Sequence, residues 1–577
     1  MLLRRLTEYA DRLPQTPTLY REAPVRYLID LDAAGRCLSA TLTDTADPAG
    51  KATKRGQPHL VPSVQRSSAI KPLLLADKAD YTLGLVAEGD KPERVAACHQ
   101  SYRELVERCL AATNEPAVAA VSSFLAAGPL GQLSLPSDFK PGELITFCVD
   151  GQFVVDLPSV RRFWAEWNDP AASAAPPKVM QCVVCGRHRP ALDRLQLKVK
   201  GIPGGQTSGT TIISANAEAF KSYGLEASLI APTCAGCGER FTRAANALLA
   251  DRASSYVLAG TAFIFWTREE TTFSFAQYLR EPQAEDVRAL LGTLHRGGYA
   301  SEVDPNAFYA AALSASGGRA VVRDWLDTTV GQAKRHLALW FERQRLVGPW
   351  GEEPKPLGLF ALAGSTVRDP NADLAPPIMR SLVRAALTAT PLPIDMLYQA
   401  VRRNRADQGL TYPRAALIKL VLRSQRPSDE EDTMVELDLN NPVPAYRCGR
   451  LLAELEAAQL AAVPGIKASL VSRFYGTASS APASVFGHLL TGAQAHLAKL
   501  QRDNPGAYVR LQRNLEEIQA GLSRFPRVLT LEEQGLFALG YYHQRARDRA
   551  EARAAAQRKA AKGEIESPAD ENDSERT

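Results

Sequence analysis

Two Cys-x-x-Cys pairs constrain the fold of this chain more than any other feature. They are Cys182 with Cys185 and Cys234 with Cys237, and 48 residues separate the two pairs. Thiolates two residues apart on a tight turn can occupy adjacent corners of a tetrahedron, ~2.3 Å from a metal ion. The long spacer adds only ~1 kcal/mol of loop-closure entropy, whereas structural zinc contributes ~10 kcal/mol or more. The sequence therefore predicts a structural zinc site, with redox chemistry or chance pairing as the alternatives.

The composition is that of a multidomain globular protein, with 577 residues, 45% of them hydrophobic and 23% charged. No apolar run approaches the ~18 residues that span a bilayer, and no apolar h-region follows the basic residues at the N-terminus. The net charge is +5, but residues 564–577 alone carry −5, so the preceding body carries +10. This charge favours a polyanionic partner. We expect a cytoplasmic protein that does not associate with membranes.

The pattern of elements predicts an α+β fold, with a mixed, β-rich N-terminal and central region and a C-terminal helical bundle. Near the N-terminus we expect a helix at Leu2–Leu13, a strand at Val25–Leu31 with a return strand at Cys37–Leu42, and helices at Arg103–Ala112 and Ala117–Ala127. The predicted sections are 1–170, an α+β domain; 178–270, a β-rich section; 271–426, a mainly helical region; 427–444, an acidic linker; 445–562, the helical bundle; and 563–577, a disordered acidic tail.

The C-terminal section has the clearest helical periodicity. Apolar residues recur there with the spacing of two amphipathic helices. The first set is Leu451, Leu455, Ala458 and Ala462, and the second is Tyr508, Leu511, Leu515, Ile518 and Leu522. Several such helices within about 130 residues predict a small bundle.

Four stretches in this order resemble one known protein family. They are Ile202–Gly209 with Ile213–Asn216 and Ala219–Gly224; Arg319–Trp325 with Trp340-Phe341; Gly449–Leu451 through Phe474-Tyr475 and Ala478–Ser480; and Leu531–Gly535 through Gly540–Arg545. Together they resemble the large-subunit family of the type I-C CRISPR Cascade complex. The resemblance covers most of the chain. The four-cysteine set departs from many members of that family, so zinc is not expected to be required for the family's function.

The resemblance implies a division of labour. The N-terminal portion would lie beside the 5′ end of the guide RNA and inspect the protospacer-adjacent motif (PAM) on duplex DNA. The C-terminal portion would resemble the Cascade small subunit, which can also be made from an internal start. Met434 is a candidate for this internal start. The alternatives are that Met434 is an ordinary linker residue, or that the internal start is a valine or leucine codon. The implied partners are guide RNA, target duplex DNA, the displaced single strand, the backbone, 5′-handle-binding and small subunits, and a helicase–nuclease that performs cleavage.

A basic segment from Lys51 to Lys78 contains six basic residues and one acid. Lys and Arg neutralise phosphates, while amide and hydroxyl groups can reach base edges. In a PAM-reading subunit we assign this loop to duplex contact; a solvated loop is the alternative. The candidate DNA-binding residues are Lys51, Lys54, Arg55, Gln57, Arg66, Ser67, Ser68 and Lys71.

Two further segments are candidates for contact with nucleic acid. In the glycine-rich segment around Gly201–Gly209, glycines would let the backbone approach a phosphate closely, although a tight structural turn is an equal alternative. The candidates there are Lys198, Lys200, Gly204, Gly205, Gln206 and Ser208. In the bundle, the resemblance implies a groove for displaced single-stranded DNA, and cationic side chains would suit such a groove. The alternative is that these side chains only solvate the exposed helix faces. The candidates are Arg473, Lys499, Arg510 and Arg513.

The sequence lacks the patterns of a hydrolytic enzyme. The eight histidines are scattered, there is no Gly-x-Ser-x-Gly elbow, and no lysine follows Gly209 as a Walker A loop requires. Tyr541-Tyr542-His543 is read as a set of packing residues. We therefore expect a protein without catalytic residues. The alternatives are a zinc-dependent nucleic-acid-processing enzyme and a purely structural scaffold.

Overall fold

The structure, a computed structural model, describes residues 1–14, 17, 19–47, 55–64, 66, 69–168, 178–195, 197–295, 304–426 and 434–565. The chain divides into two compact units. The first comprises Met1–Ala247 and Ala315–Val321, and the second comprises Leu248–Ser314 and Val322–Thr577. Half of the chain is helical and 15% is strand, and the C-terminal region is helical. The predicted α+β class is confirmed.

A sheet built around one long strand organises the N-terminal part of the first unit. Within the described residues its strands are β1 (Tyr20–Leu31), β2 (Thr43–Asp44), β3 (Gln57–Pro62), β4 (Ala76–Asp77), β5 (Leu144–Val149) and β6 (Gln152–Phe153). β1 pairs in parallel with β5 and antiparallel with β2 and β3. The strand predicted at Val25–Leu31 is therefore confirmed. The return strand predicted at Cys37–Leu42 is wrong: Cys37 and Thr41 form only single bridges, and β2 takes the place beside β1.

Helices cover this sheet. The helices of the first unit are α1 (Leu2–Tyr9), α2 (Ala79–Thr82), α3 (Pro92–Thr113), α4 (Pro116–Ala126), α5 (Pro158–Trp167) and α6 (Ala235–Ala250), of which the last three residues belong to the second unit. Proline at the first position favours the starts of α3, α4 and α5. Phe124 of α4 meets Phe147 of β5 edge-on, and the Trp164 indole N–H donates to the Leu19 carbonyl at 3.1 Å. The helices predicted around α1, α3 and α4 are confirmed.

The section predicted to be β-rich contains less strand than expected. It begins with the hairpin of β7 (Val179–Gln181) and β8 (His188–Pro190), and ends in α6 and two strands of the second unit. Among the described residues between β8 and α6, isolated bridges replace strands, such as those of Val199 with Thr210 and Ala215 with Ala227. Glycine and proline in this stretch favour turns over continuous ladders.

The second unit begins with an antiparallel sheet and continues in helices. Its strands, in the sheet order β12-β11-β10-β9, are β9 (Ser255–Leu258), β10 (Thr261–Thr267), β11 (Ala307–Ser316) and β12 (Arg319–Thr329), and the hairpin tip Ala315–Val321 belongs to the first unit. The helices that follow β10 are α7 (Phe275–Arg280), α8 (Ala284–His295), α9 (Val330–Gln344), α10 (Leu359–Gly364), α11 (Pro370–Asp373), α12 (Pro376–Thr388), α13 (Ile394–Asp407) and α14 (Tyr412–Ser424). The section predicted to be mainly helical thus also holds the β11–β12 hairpin.

Five helices complete the second unit. They are α15 (Pro444–Ala462), α16 (Leu470–Ala478), α17 (Phe486–Asp503), α18 (Pro505–Ala520) and α19 (Leu531–Ile565). α15 packs closely on α19, and α19 also contacts α13 and α14. At the α15–α19 crossing, a Cβ on Gly449 would overlap the Phe537 carbonyl oxygen, and one on Gly540 would overlap that of Tyr446. Among the described residues, no helix has both the length and the apolar character needed to cross a bilayer.

Part of the segment predicted as an acidic linker is packed. Residues 427–433 lie outside the described residues, but Met434 is buried in the same apolar cluster as Tyr446 and Tyr542. The Val347 N–H donates to the Val435 carbonyl at 2.8 Å. The described part of this segment is therefore held against the helices that precede and follow it.

A buried polar network lies between α15, α18 and α19. Glu454 is fully buried, and one of its carboxylate oxygens accepts hydrogen bonds from Asn514 at 2.8 Å and Gln544 at 2.6 Å. Burial, together with the nearby charge of Asp548, raises the pKa of Glu454 to about 8. In the same bundle Tyr541, Tyr542 and His543 are buried, in agreement with a packing role.

This network predicts a pH-dependent stability. Because the folded-state pKa of Glu454 is raised, its stabilising contribution is present at low pH and is lost as the pH rises towards 8. We expect this contribution to lower the unfolding free energy by ~1–2 kcal/mol between pH 6.5 and pH 8, measured in urea titrations of the full chain as the difference between the unaltered protein and Glu454→Gln. Glu454→Gln keeps an acceptor for both hydrogen bonds and should remove this loss.

The chosen pH window separates this effect from that of a neighbouring histidine. Burial and, to a smaller extent, the charge of Lys419 lower the pKa of His543 to about 3. The contribution of His543 to the unfolding free energy therefore changes mainly below pH 6.5. Glu516→Gln, at an exposed position of α18, is the matched control and should behave as the unaltered protein does. An equal pH dependence in Glu454→Gln and the unaltered protein would contradict the prediction.

Candidate metal centre and nucleic-acid interface

The first cysteine pair lies on the turn that joins β7 to β8. The Cys182 N–H donates to the Arg187 carbonyl at 2.9 Å, and the Gly186 N–H donates to the Cys182 carbonyl at 2.8 Å. These bonds close a tight turn, in which Gly186 has a φ of 72°. The turn holds Cys182 in the interior and leaves Cys185 exposed.

The second pair lies at the start of α6. Cys234 immediately precedes the helix, Cys237 lies in its first turn, and both side chains are buried. The hairpin turn and the helix start are joined by backbone hydrogen bonds, in which Val183 donates to Pro232 and Leu192 donates to Thr233, both at 2.9 Å. The two halves of the cluster are therefore positioned by the backbone.

The four thiols of Cys182, Cys185, Cys234 and Cys237 form one cluster. Their sulfur atoms all lie within 4.8 Å of one another. Four sulfurs placed ~2.3 Å from a tetrahedral metal ion would be ~3.8 Å apart, so a small contraction suffices for coordination. The prediction that the two pairs meet is confirmed, and the cluster fits a metal ion.

The surroundings of Cys182 favour a thiolate. Burial alone would raise the pKa of its thiol, but the backbone N–H groups of Cys185, Cys234 and Val184 point at the sulfur and lower that pKa to about 7. The Cys234 N–H lies 3.5 Å from the Cys182 sulfur. Burial raises the pKa values of Cys234 and Cys237, so these thiols would need a cation to become thiolates.

The structure describes half of the predicted DNA-binding loop. Lys51, Lys54, Ser67 and Ser68 lie outside the described residues. Arg55 and Gln57 are exposed at the start of β3, and Lys71 is exposed beyond its end. The Arg55 guanidinium is 3.2 Å from the Glu143 carboxylate, but 73% of the Arg55 side chain remains accessible. These three residues offer two cationic groups and one amide to a ligand.

Arg66 has a different environment from the other residues of this loop. Its Nη1 donates to Oδ1 of the buried Asp77 at 2.8 Å, and its Nη2 pairs with the second carboxylate oxygen. The guanidinium also lies 4.4 Å from the centre of the Tyr81 ring. Both terminal nitrogens of Arg66 are therefore engaged in holding the loop to the sheet. The sequence offers no signal for this pair, because the partners are joined only by the fold.

The glycine-rich segment forms a loop with a fixed stem. Val199 and Thr210 exchange backbone hydrogen bonds of 2.8 and 2.7 Å. The Asn246 side chain accepts the Lys200 N–H at 2.8 Å and donates to the Lys198 carbonyl at 3.1 Å. The stem is thus hydrogen-bonded to α6 of the first unit.

The tip of this loop is open to solvent. Gly204, Gln206 and Ser208 are exposed, and the Lys198 ammonium donates to the Ser208 hydroxyl at 3.2 Å. A Cβ on Gly205 would come 2.7 Å from the Thr210 methyl group, so this glycine serves the turn itself. The predicted backbone-binding residues are therefore of two kinds, those that shape the loop and those available to a ligand.

The candidates in the C-terminal bundle are distributed over three helices. Arg473 of α16, Lys499 of α17 and Arg513 of α18 are exposed. Arg510 of α18 is partly buried and lies 3.7 Å from Asp548, at the edge of the polar network around Glu454. Arg510 is thus directed towards the interior, unlike the other three.

Comparison with known proteins supplies the family. A family model described as CRISPR-associated protein (Cas_Csd1) matches residues 5–548. The chain belongs to the Cas_Csd1 family. A search of the curated proteins finds none that matches. As a Cas_Csd1 member the chain is a CRISPR-associated protein, and its family supports work with nucleic acids in a Cascade-type system.

Proposed function

We propose that this protein is the non-catalytic large subunit of a type I-C Cascade. In this role it would contribute to PAM recognition, guide-RNA-directed DNA binding, stabilisation of the displaced strand and recruitment of the helicase–nuclease. The observation that carries the proposal is the Cas_Csd1 match over residues 5–548. The charge of +10 carried before residue 564 supports binding of a polyanion.

The surface proposed to contact duplex DNA comprises Arg55, Gln57 and Lys71, with Lys54 beside them in sequence. The exposure of Arg55 and Lys71 supports the proposal, since phosphate contact requires cations that solvent can reach. Arg66 would act indirectly, because its pair with Asp77 holds the loop against the sheet.

The proposed contact with the displaced strand uses the exposed cations of the bundle, Arg473, Lys499 and Arg513. Cations on several helices can follow a flexible backbone, and single strands are bound through charge combined with stacking. A product that starts at Met434 would contain these three residues and all of α15–α19.

The metal site favours a structural role over the enzymatic alternative. Four protein thiolates fill a tetrahedral coordination sphere, so a zinc ion held by them would have no open position for water or substrate. Cleavage of labelled RNA or DNA by the purified chain in the presence of a divalent metal ion would support an enzyme instead and contradict our proposal.

Charge reversal tests the proposed DNA surface. We expect Arg55→Glu with Lys71→Glu to weaken binding of target duplex DNA by the assembled complex about tenfold or more, and to lower the salt slope of binding by about 2. The measurement is an electrophoretic or anisotropy titration at several salt concentrations. Arg66 is left unaltered, because its reversal would leave Asp77 buried without its partner.

The matched control is Arg36→Glu, at an exposed arginine of the same unit whose side chain is 81% accessible. It should retain the affinity and the salt slope of the unaltered complex. Co-purification of guide RNA and the other subunits shows that each variant assembles. Unchanged affinity and slope in the double variant would favour the purely structural scaffold.

A further inference from the structure

An exposed tyrosine occupies a tight turn at the tip of a loop in the first unit. Single bridges join Ala215 with Ala227 at the base of this loop and Ser222 with Leu225 at its tip, and a 3₁₀ turn, Glu218–Phe220, lies between them. The two residues between the last pair are Tyr223 and Gly224, with φ values of 54° and 71°. Two central residues with positive φ are the signature of a type I′ turn. This stretch belongs to the segments that carry the family resemblance.

Neither the turn nor the core requires a tyrosine at this position. Type I′ turns favour asparagine or glycine at their first central residue, because a positive φ is unfavourable for a residue with a large side chain. The Tyr223 side chain is 99% exposed, so packing does not compensate for this conformation. A strained residue whose side chain serves no contact within its own fold points to a ligand outside it.

The surroundings of Tyr223 combine an aromatic ring with cationic groups. The Phe220 side chain is 41% exposed, and the Arg319 guanidinium lies 3.7 Å from the centre of its ring. Lys221 is engaged by Glu218 at 2.7 Å and by Glu226 at 3.1 Å. Arg319 therefore provides a cation in direct contact with the Phe220 ring, whereas Lys221 is paired with two carboxylates.

Arg319 links this loop to the glycine-rich loop. Thr211 bonds to the backbone on both sides of Arg319, donating to Gly318 and accepting from Ala320, each at 2.9 Å. The Gln206 side chain lies beside Gly318, 3.4 Å from the position that a Cβ would take there. A surface therefore runs from Lys198 and Ser208 through Gln206 and Arg319 to the aromatic tip.

We propose that Tyr223 stacks on a base of a single-stranded nucleic acid, while Arg319 and Lys198 bind phosphates of the same strand along this surface. Aromatic rings accept any base, and cations in a row follow the backbone, so this combination suits a single strand better than a duplex, whose bases are already stacked. The inference rests on the proposed function and deepens it by assigning a single-stranded segment to this surface.

The test uses the full chain with two fluorescein-labelled probes, a twelve-nucleotide oligouridine RNA and the corresponding oligothymidine DNA, in anisotropy titrations. Tyr223→Asn gives the turn a residue that it favours and removes the ring, so the melting temperature should be unchanged or raised. We expect this variant to bind at least one probe about tenfold more weakly, whereas Tyr223→Phe should retain the affinity. The probe that loses affinity identifies RNA or DNA as the strand.

The control is Tyr398→Ala, which removes another exposed tyrosine, on α13, and should not alter the binding of either probe. Unchanged affinity of Tyr223→Asn for both probes, or no binding of either probe by the unaltered chain, would overturn the inference. Loss of another Cascade subunit from Tyr223→Asn without loss of probe binding would assign the tip to a protein contact and would also overturn it. The proposed duplex contact is measured separately by the Arg55 and Lys71 variants, so the two proposals can fail independently.

Discussion

Replacement of Cys182 and Cys234 by serine should abolish metal binding by the four-cysteine cluster and unfold the part of the first unit that the cluster joins. Each half of the cluster loses one thiolate, and the two remaining cysteines cannot complete a tetrahedral site. Structural zinc contributes ~10 kcal/mol or more, comparable to the ~5–15 kcal/mol that stabilises a whole domain. The stability of the β7–β8 hairpin and its junction with α6 should therefore depend on the metal.

Metal analysis and thermal unfolding measure this effect. We expect one zinc ion per chain in the unaltered protein, and a strong chelator should lower its melting temperature. Cys37→Ser, a half-buried cysteine of the same unit outside the cluster, should keep both the metal and the melting temperature. A metal-free protein whose melting temperature does not respond to chelator would refute the zinc site, and iron in place of zinc would refute its identity.

The second large effect is expected at the crossing of α15 and α19. Gly449→Ala or Gly540→Ala would place a methyl group against the backbone of the facing helix, since the added Cβ overlaps a carbonyl oxygen in each case. Backbone cannot move aside as a side chain can, so the helices must separate along much of their contact. We expect each variant to lose ~3 kcal/mol or more of unfolding free energy in a urea titration.

Gly492→Ala is the control for the alanine substitutions themselves. Gly492 lies in α17, and nothing is within 4 Å of a Cβ added there. Alanine is favoured over glycine in a helix interior, so this variant should gain ~0.5–1 kcal/mol. If Gly449→Ala and Gly540→Ala are also neutral or stabilising, the two helices do not approach each other as closely as the structure indicates.

Local periodicity predicted the helical parts of this fold well. Leu511, Leu515 and Ile518 are buried on α18 in the register that the spacing predicted. The predicted apolar positions of α15 are also buried, but α15 is buried on every side from Cys448 to Glu456 and not on one face alone. An amphipathic stripe records which face of a helix meets the core, so a single helix reveals its own burial.

The β11–β12 hairpin was not predicted, because the local sequence of β11 favours a helix. β11 contains the run Ala310-Ala311-Ala312, and alanine favours helix over strand. Its pairing with β10, in which Ala312 lies opposite Phe263 and Ala310 opposite Phe265, overrides that preference. Such pairing joins segments distant in sequence, and local patterns do not record it.

The candidate sites also divide into those that local sequence predicts and those that depend on the fold. The cluster of four cysteines was predictable because the spacing of Cys-x-x-Cys pairs is a local signal with a known chemistry. The pair of Arg66 with Asp77 and the network around Glu454 were not, because each depends on which elements the fold brings together. Tyr223 was overlooked because its significance lies in its exposure and backbone conformation, neither of which the sequence states.

The composition of the first unit has a consequence for how such a protein can change over evolution. The unit takes Ala315–Val321 from the tip of a hairpin whose strands lie in the second unit's sheet. A recombination event that exchanged the gene segment encoding Met1–Ala247 would leave that tip behind, and the incoming segment would meet a tip from another lineage. Thr211 bonds to this tip, so its sequence and that of the glycine-rich loop should be inherited together. Exchange of the whole first unit between relatives would require three coordinated crossovers within the gene rather than one.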